Sequence, residues 1–92
     1  MFEIDYYNLP NGDIPVKQYI NSLNNNMRAK ALSSIDILSN FGNKLREPYS
    51  KPVGNGIYEL RIRFARDIAR IFYFFIINNK IILTNGFTKK TQ

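Results

Sequence analysis

The last third of the chain constrains the fold most, because its apolar and polar residues alternate as they do in β-strands. In residues 57–64, apolar side chains at every second position are separated by Glu59, Arg61 and Arg63. Successive side chains of a strand point to opposite faces of a sheet. The pattern therefore predicts a strand with one face in the core and the other face carrying one carboxylate and two guanidinium groups.

Two more strands are predicted after this one, and the turn between them sets their register. The segment Ile77-Asn78-Asn79-Lys80 is typical of a two-residue hairpin, because asparagine tolerates the positive φ angles of a tight turn. Such a hairpin would place Arg70 opposite Phe87. It would also place Tyr73 opposite Thr84.

The turn before Arg70 decides whether the cations of neighbouring strands meet. A four-residue turn from Phe64 to Asp67 would place Arg61 directly opposite Arg70, whereas a slip of one residue would move Arg61 to the other face. In the first register, one face of the predicted sheet carries Glu59, Arg61, Arg63, Arg70, Phe87 and Lys89.

The N-terminal segment predicts a strand, a turn and the start of a helix. Phe2–Tyr7 alternates apolar and acidic residues, as a strand does. Asn11-Gly12 is typical of a turn. Asp13 and Pro15 then indicate a helix start, with Asp13 as the capping side chain and Pro15 in the first turn.

Two helices are predicted from apolar residues that recur at helical spacing, and both stripes are expected to face the core. The stripes consist of Val16, Tyr19, Ile20 and Leu23, and then of Met27, Ala31, Ile35 and Leu38. Any residue of Asn24-Asn25-Asn26 can cap the second helix. Gly42 is expected to end it.

The segment between the helices and the three strands, residues 43–56, is rich in proline and glycine and predicts a loop that exposes Lys44, Arg46 and Lys51. The whole chain, residues 1–92, then forms a single α+β domain of order β-α-α-β-β-β. Its sheet is small and mainly antiparallel, and the two N-terminal helices pack on one face of it.

The net charge of +6 is concentrated in the second half of the chain. Residues 1–43 carry a net charge of −1 and residues 44–92 a net charge of +7. Such a basic surface is the usual electrostatic footprint of a nucleic-acid-binding protein. A surface that merely keeps the protein soluble is the alternative, but the clustering of cations on one predicted face favours nucleic acid.

The chain contains no cysteine and no histidine, which excludes disulfides, zinc sites of the usual kind, and Ser-His or Cys-His nucleophile pairs. No metal or small-molecule cofactor is expected. The acidic residues Glu3 and Asp5 are unlike a signal peptide, and the apolar run Ile71–Ile77 is too short to span a bilayer. We expect a cytoplasmic protein with no membrane partner.

The predicted cationic face suits a polyanion. Arg61 and Arg70 side by side would repel each other unless an anion lay between them, and arginine matches the geometry of phosphate oxygens. The ring of Phe87 could stack on an unpaired base of single-stranded RNA, although Phe87 could equally be a core residue. Glu59 could be no more than a surface ion-pair partner.

RNA supplies its own nucleophile, the ribose 2′-hydroxyl, so its cleavage needs neither a metal nor a protein nucleophile. A protein must only hold the strand in line, transfer two protons and stabilise the extra charge on phosphorus. A basic chain without histidine or cysteine is compatible with this reaction.

Three segments resemble the HigB-like branch of the RelE/ParE toxin superfamily, a group that includes phage-derived proteins. They are Tyr58-Glu59-Leu60-Arg61-Ile62-Arg63, Arg70-Ile71-Phe72-Tyr73-Phe74 and Asn85-Gly86-Phe87-Thr88-Lys89-Lys90-Thr91-Gln92. The resemblance implies a RelE-like fold and the toxin of a type II toxin–antitoxin system. It further implies an mRNA interferase, an endoribonuclease that cleaves mRNA in the ribosomal A site next to rRNA, and a helix-turn-helix antitoxin that neutralises it.

The resemblance also implies roles for individual residues. Arg61 and Arg70 correspond to cations at the scissile phosphate. Glu59 is the candidate general base, and Lys89 or Lys90 is the candidate general acid. Asn85 stands where histidine is common in the branch. The predicted catalytic set is Arg61, Arg70, Glu59 and Lys89, and the predicted RNA-binding set is Arg63, Lys90, Phe87 and Lys51. Two other activities remain open, a ParE-like inhibition of DNA gyrase and non-catalytic RNA binding in regulation.

Overall fold

The computed structural model describes residues 1–90, with only the backbone of Lys90, as an α+β fold with a five-stranded sheet and two α-helices. Its elements are β1 (Glu3–Tyr6), α1 (Pro15–Ser22), α2 (Asn25–Phe41), a 3-10 turn (Gly42–Lys44), β2 (Ser50–Gly54), β3 (Ile57–Phe64), β4 (Asp67–Ile76) and β5 (Lys80–Lys90). The strand order is β1-β5-β4-β3-β2, with β1 parallel to β5 and the other neighbours antiparallel. The predicted α+β class is confirmed.

The prediction of four strands is wrong, because the predicted loop at residues 43–56 contains β2. This strand lies at the edge of the sheet, where Pro52 is tolerated because an edge strand need not pair every N–H group. The buried hydroxyl of Ser50 holds β2 to the sheet through a hydrogen bond with the hydroxyl of Tyr73. Burial raises the pKa of Tyr73, and the bond to Ser50 offsets this only in part.

The helix limits follow the predicted signals except at Asp13. Ile14 precedes α1 without a side-chain cap, while the backbone N–H of Asp13 donates to Asn11 Oδ1 at 2.9 Å and thereby closes the preceding turn. Asn24 caps α2, since its Oδ1 accepts from the backbone N–H of Met27 at 2.9 Å. Gly42 follows α2 with φ of +54°, as predicted for its end.

The core lies between the two helices and one face of the sheet. It contains both predicted helical stripes, except that Tyr19 packs at its margin. The buried residues are Val16, Ile20, Leu23, Met27, Ala31, Ile35, Leu38, Leu60, Ile62, Ala69, Ile71, Tyr73, Ile81 and Leu83. Because both helices contribute to this single core, the opposite face of the central strands carries neither of them. No helix within residues 1–90 has the length and apolar character needed to cross a membrane.

The hairpin between β4 and β5 differs from the prediction in two places that compensate each other. Its turn contains three residues instead of two, because Ile76 pairs with Lys80. Thr84 bulges out of β5, so that Tyr73 pairs with Leu83 and the prediction of Thr84 as its partner is wrong. The extra turn residue and the bulged residue shift the register in opposite directions, so the pairing beyond the bulge is the one that a two-residue turn would give.

Candidate nucleic-acid interface

The sheet face opposite the core carries polar residues of four strands and the aromatic residues between them. Arg61 pairs with Arg70, and Arg70 pairs in turn with Phe87, as the sequence predicted. Cross-strand partners share a face. We call this surface the basic face and define it by Lys51, Glu59, Arg61, Arg63, Arg70, Phe72, Phe87 and Lys89.

Glu59 lies at the centre of the basic face and is only 5% exposed. Its Oε2 lies 3.3 Å from Arg61 Nε, and its Oε1 lies 3.2 Å from Arg70 Nη1. A buried carboxylate is stable only when paired, and here one carboxylate separates two guanidinium groups on neighbouring strands. The expected ion pair of Glu59 is present, both with Arg61 and with the cross-strand Arg70. Its expected position at the surface is wrong, because the side chain is buried beneath both arginines.

The two arginines keep the capacity to bind a second anion. Their side chains are 28% and 19% exposed, for Arg61 and Arg70 respectively. A guanidinium carries donors on three nitrogens, and Glu59 contacts one nitrogen of each. Arg70 Nε is buried and has no hydrogen-bond partner among the described residues. Two cations against one carboxylate leave an excess positive charge at this point.

Phe87 is an exposed ring beside this cluster. It is 45% exposed, so its interpretation as a core residue is wrong. Its ring stacks on Phe72 with centroids 5.7 Å apart and an angle of 26°, and the guanidinium carbon of Arg70 lies 5.8 Å from its centre. The pair forms an aromatic platform next to a cation, which is a suitable surface for an unstacked base.

The remaining predicted residues surround this centre. Lys51 pairs with Glu59 on the side of β2, and Arg63 and Lys89 both pair with Ile68 at the other end. All three cationic side chains are exposed. The backbone of Lys90 pairs with Asp67, but its side chain lies outside the described part of the chain.

The sequence analysis missed Phe72, because this residue stands inside an apolar run that looked like core. Phe72 is two residues from Arg70 on the same strand, so strand alternation places both on one face. That spacing was the signal that could have identified it. Among the described residues no group of three or more acidic side chains could hold a metal ion.

Tyr19 of helix α1 packs against β5 on the side of the sheet opposite the basic face. Its hydroxyl is hydrogen-bonded to Thr88 Oγ1 at 2.7 Å, and its ring covers Gly86. Burial raises the pKa of Tyr19, while hydrogen bonds to Thr88 and to the backbone of Arg70 oppose that rise. Both Gly86 and Thr88 adjoin Phe87, so α1 fixes the part of β5 that presents its ring.

Replacing Gly86 by alanine is expected to disturb the packing of Tyr19 against β5 and to destabilise the protein. A Cβ atom there would lie 2.5 Å from the ring of Tyr19 and 2.7 Å from the backbone oxygen of Arg70, and the backbone oxygen cannot move aside. We expect a loss of about 1–3 kcal/mol in the free energy of unfolding, measured by urea denaturation. Asn85→Ala, at a neighbouring exposed position, is the control. A loss below about 0.5 kcal/mol for Gly86→Ala would contradict the packing described here.

Comparison with protein-family models matches residues 18–92 to the family described as phage derived protein Gp49-like (DUF891). The chain belongs to this family. The Gp49-like family is a family of toxin-type proteins. The match includes α2, β2, β3, β4 and β5, and therefore every residue of the basic face. No curated protein matches this Gp49-like chain.

Proposed function

We propose that this Gp49-like protein is the toxin of a type II toxin–antitoxin system and a ribosome-dependent mRNA endoribonuclease of the RelE-like kind. The observation that carries the proposal is the pair of opposed arginines, Arg61 and Arg70, held by one buried carboxylate beside an exposed aromatic platform. Membership of a toxin-type family and the resemblance of β3, β4 and β5 to HigB-like toxins support it. Translation inhibition in the cytoplasm would follow.

In the proposed reaction the scissile phosphate binds between Arg61 and Arg70. The 2′-oxygen forms a bond to phosphorus while the bond from phosphorus to the 5′-oxygen breaks, leaving a 2′,3′-cyclic phosphate and a 5′-hydroxyl. The pentacoordinate transition state carries more negative charge than the substrate. Two fixed guanidinium groups stabilise that added charge without reorganising during the reaction.

The two proton transfers are assigned to Glu59 and Lys89. Glu59 would take the proton of the 2′-hydroxyl, but each of its oxygens lies against a guanidinium in this structure. A bound phosphate must therefore draw one arginine away and release a carboxylate oxygen. Lys89, an exposed amine on the basic face, would protonate the departing 5′-oxygen.

The decisive experiment is primer extension on a defined mRNA in a purified translation system, with and without the protein. We expect cuts only at ribosome-occupied codons, and intact RNA when ribosomes are omitted. Intact mRNA together with unimpaired translation would overturn the proposal, and inhibition of DNA gyrase would then be tested. RNA binding without cleavage on translating ribosomes would instead indicate a regulatory RNA-binding protein. Co-purification with a small helix-turn-helix protein encoded beside this chain would test the antitoxin.

Replacing Phe87 by alanine is expected to weaken cleavage in the same assay by about tenfold to a hundredfold. Stacking of one base on an aromatic side chain contributes about 1–3 kcal/mol, and Phe87 presents an exposed ring. Phe87→Tyr keeps the ring and serves as the matched control, with activity near that of the wild type. Equal activity of the alanine and tyrosine variants would show that no base stacks here.

A further inference from the structure

A groove of about 400 Å³ lies beside the basic face, between α2 and the edge of β3. Its origin is the short pairing of β2, which joins β3 between Ile57 and Leu60. Beyond this point Arg61 donates its backbone N–H to the carbonyl oxygen of Tyr49 at 2.9 Å, and the side of β3 faces α2 across open space. The volume is within the range of ligand-binding clefts, about 300–1,000 Å³.

The groove combines cations with apolar walls. Lys30, Arg61 and Arg63 line it, and none of the described residues that line it is acidic. Lys30 Nζ is held at the rim by a 2.5 Å hydrogen bond to the backbone oxygen of Arg63. Ile37 and Tyr49 provide apolar and aromatic surface, and they are 45% and 61% exposed. Phosphate oxygens and a flat base together would match these walls.

The groove is continuous with the arginine pair, because Arg61 belongs to both. The same side chain contacts Glu59 at the centre of the basic face and lines the groove. A single strand whose phosphate lies between Arg61 and Arg70 can therefore place its next nucleotide in the groove. Lys30 and Arg63 would then meet the next phosphate along the strand.

We propose that this groove is a nucleotide-binding subsite for single-stranded RNA, adjacent to the phosphate bound by Arg61 and Arg70. The base lies against Tyr49 and Ile37, and the flanking phosphate lies near Lys30 and Arg63. This inference rests on the proposed function, since it assumes that the arginine pair binds an RNA phosphate. It adds the prediction that affinity depends on the length of the bound strand.

The probes that test the subsite are a mononucleotide and a dinucleotide of 2′-O-methyl RNA, each ending in a 3′-phosphate, which cannot be cleaved by 2′-hydroxyl attack. The mononucleotide reaches only the aromatic platform and the arginine pair, whereas the dinucleotide adds the nucleoside in the groove and its phosphate. We expect the wild-type protein to bind the dinucleotide about tenfold more tightly, as one stacked base would produce. Ser33→Trp fills the groove from α2 and should abolish this advantage while leaving mononucleotide affinity unchanged. Lys30→Ala should reduce dinucleotide affinity several-fold.

Two matched controls exclude general effects of bulk and charge. Leu32→Trp adds an indole at the preceding residue of α2, which is 53% exposed and outside the groove lining, and Lys44→Ala removes an exposed lysine elsewhere. Both controls should bind the dinucleotide like the wild type. Thermal unfolding of every variant shows that binding is compared between folded proteins.

The outcomes separate this inference from the proposed function. Equal affinity for the two probes, no binding of either at millimolar concentration, or a Ser33→Trp variant that binds like the wild type would overturn the subsite. If mRNA is still cleaved on ribosomes in that case, the proposed function stands without it. Length-dependent binding that Ser33→Trp removes, in a protein that never cleaves mRNA, would keep the subsite and refute the nuclease.

Discussion

Replacing Arg70 by alanine is expected to reduce mRNA cleavage about a thousandfold while the protein remains folded. Arg70 is one of two guanidinium groups that would stabilise the charge of the transition state, and removal of such a group costs roughly 10²–10⁵ in rate. Glu59 keeps its ion pair with Arg61 in this variant, so its charge is not left without a partner. The measurement is primer extension over a range of protein concentrations.

Two further variants sharpen the test of Arg70. Arg70→Lys retains the charge but loses the planar fork, and it should recover only a small part of the rate. Arg46→Ala removes an exposed arginine that donates to the backbone oxygen of Asn43, away from the basic face, and should cleave like the wild type. An Arg70→Ala protein that cleaves within tenfold of the wild type would remove Arg70 from the reaction.

Replacing Glu59 by glutamine is expected to affect both cleavage and stability. Without the carboxylate, Arg61 and Arg70 repel each other across the two strands, and breaking such a buried pair costs about 3 kcal/mol. We take the lower end of the usual range because both guanidinium groups reach solvent. Urea denaturation measures this loss, and millimolar phosphate should restore part of it by binding between the arginines.

The cleavage rate of the Glu59→Gln variant reports whether Glu59 takes the proton. As the base, Glu59 should contribute a factor of about 10²–10⁴, and its loss should change the pH dependence of the remaining rate. If Glu59 only positions the arginines, the variant should be slower but keep the pH profile of the wild type. Glu59→Asp retains the charge on a shorter side chain and is the matched control.

The central pairing of the site was predictable from sequence because strand alternation leaves few choices. Once β3 and β4 are joined by the turn from Phe64 to Asp67, Arg61 must face Arg70. The partnership of Arg70 with Phe87 was predicted correctly from a turn one residue too short, because the bulge at Thr84 restores the register. Local turn signals do not indicate such a bulge, since it depends on how β5 packs.

Other features depend on tertiary contacts that no local pattern contains. Strand β2 contains proline and glycine, so its sequence does not look like a strand. It forms because it can pair with the free edge of β3 and because Ser50 forms a buried hydrogen bond with the hydroxyl of Tyr73. The burial of Glu59 follows from two guanidinium groups on different strands. The groove lies between α2 and β3, which are distant in sequence, so Lys30 could not be grouped with Arg61 and Arg63 beforehand.

The bulge at Thr84 also separates the β4–β5 turn from the basic face. Residues on the two sides of the bulge follow different pairing registers, and Phe87 lies on the side remote from the turn at Ile77–Asn79. The bulge thus offsets the third residue of the turn before the pairing reaches Arg70. This turn, with Ile77 84% exposed, is consequently the place for a peptide tag or a fluorescent label that leaves the aromatic platform in position.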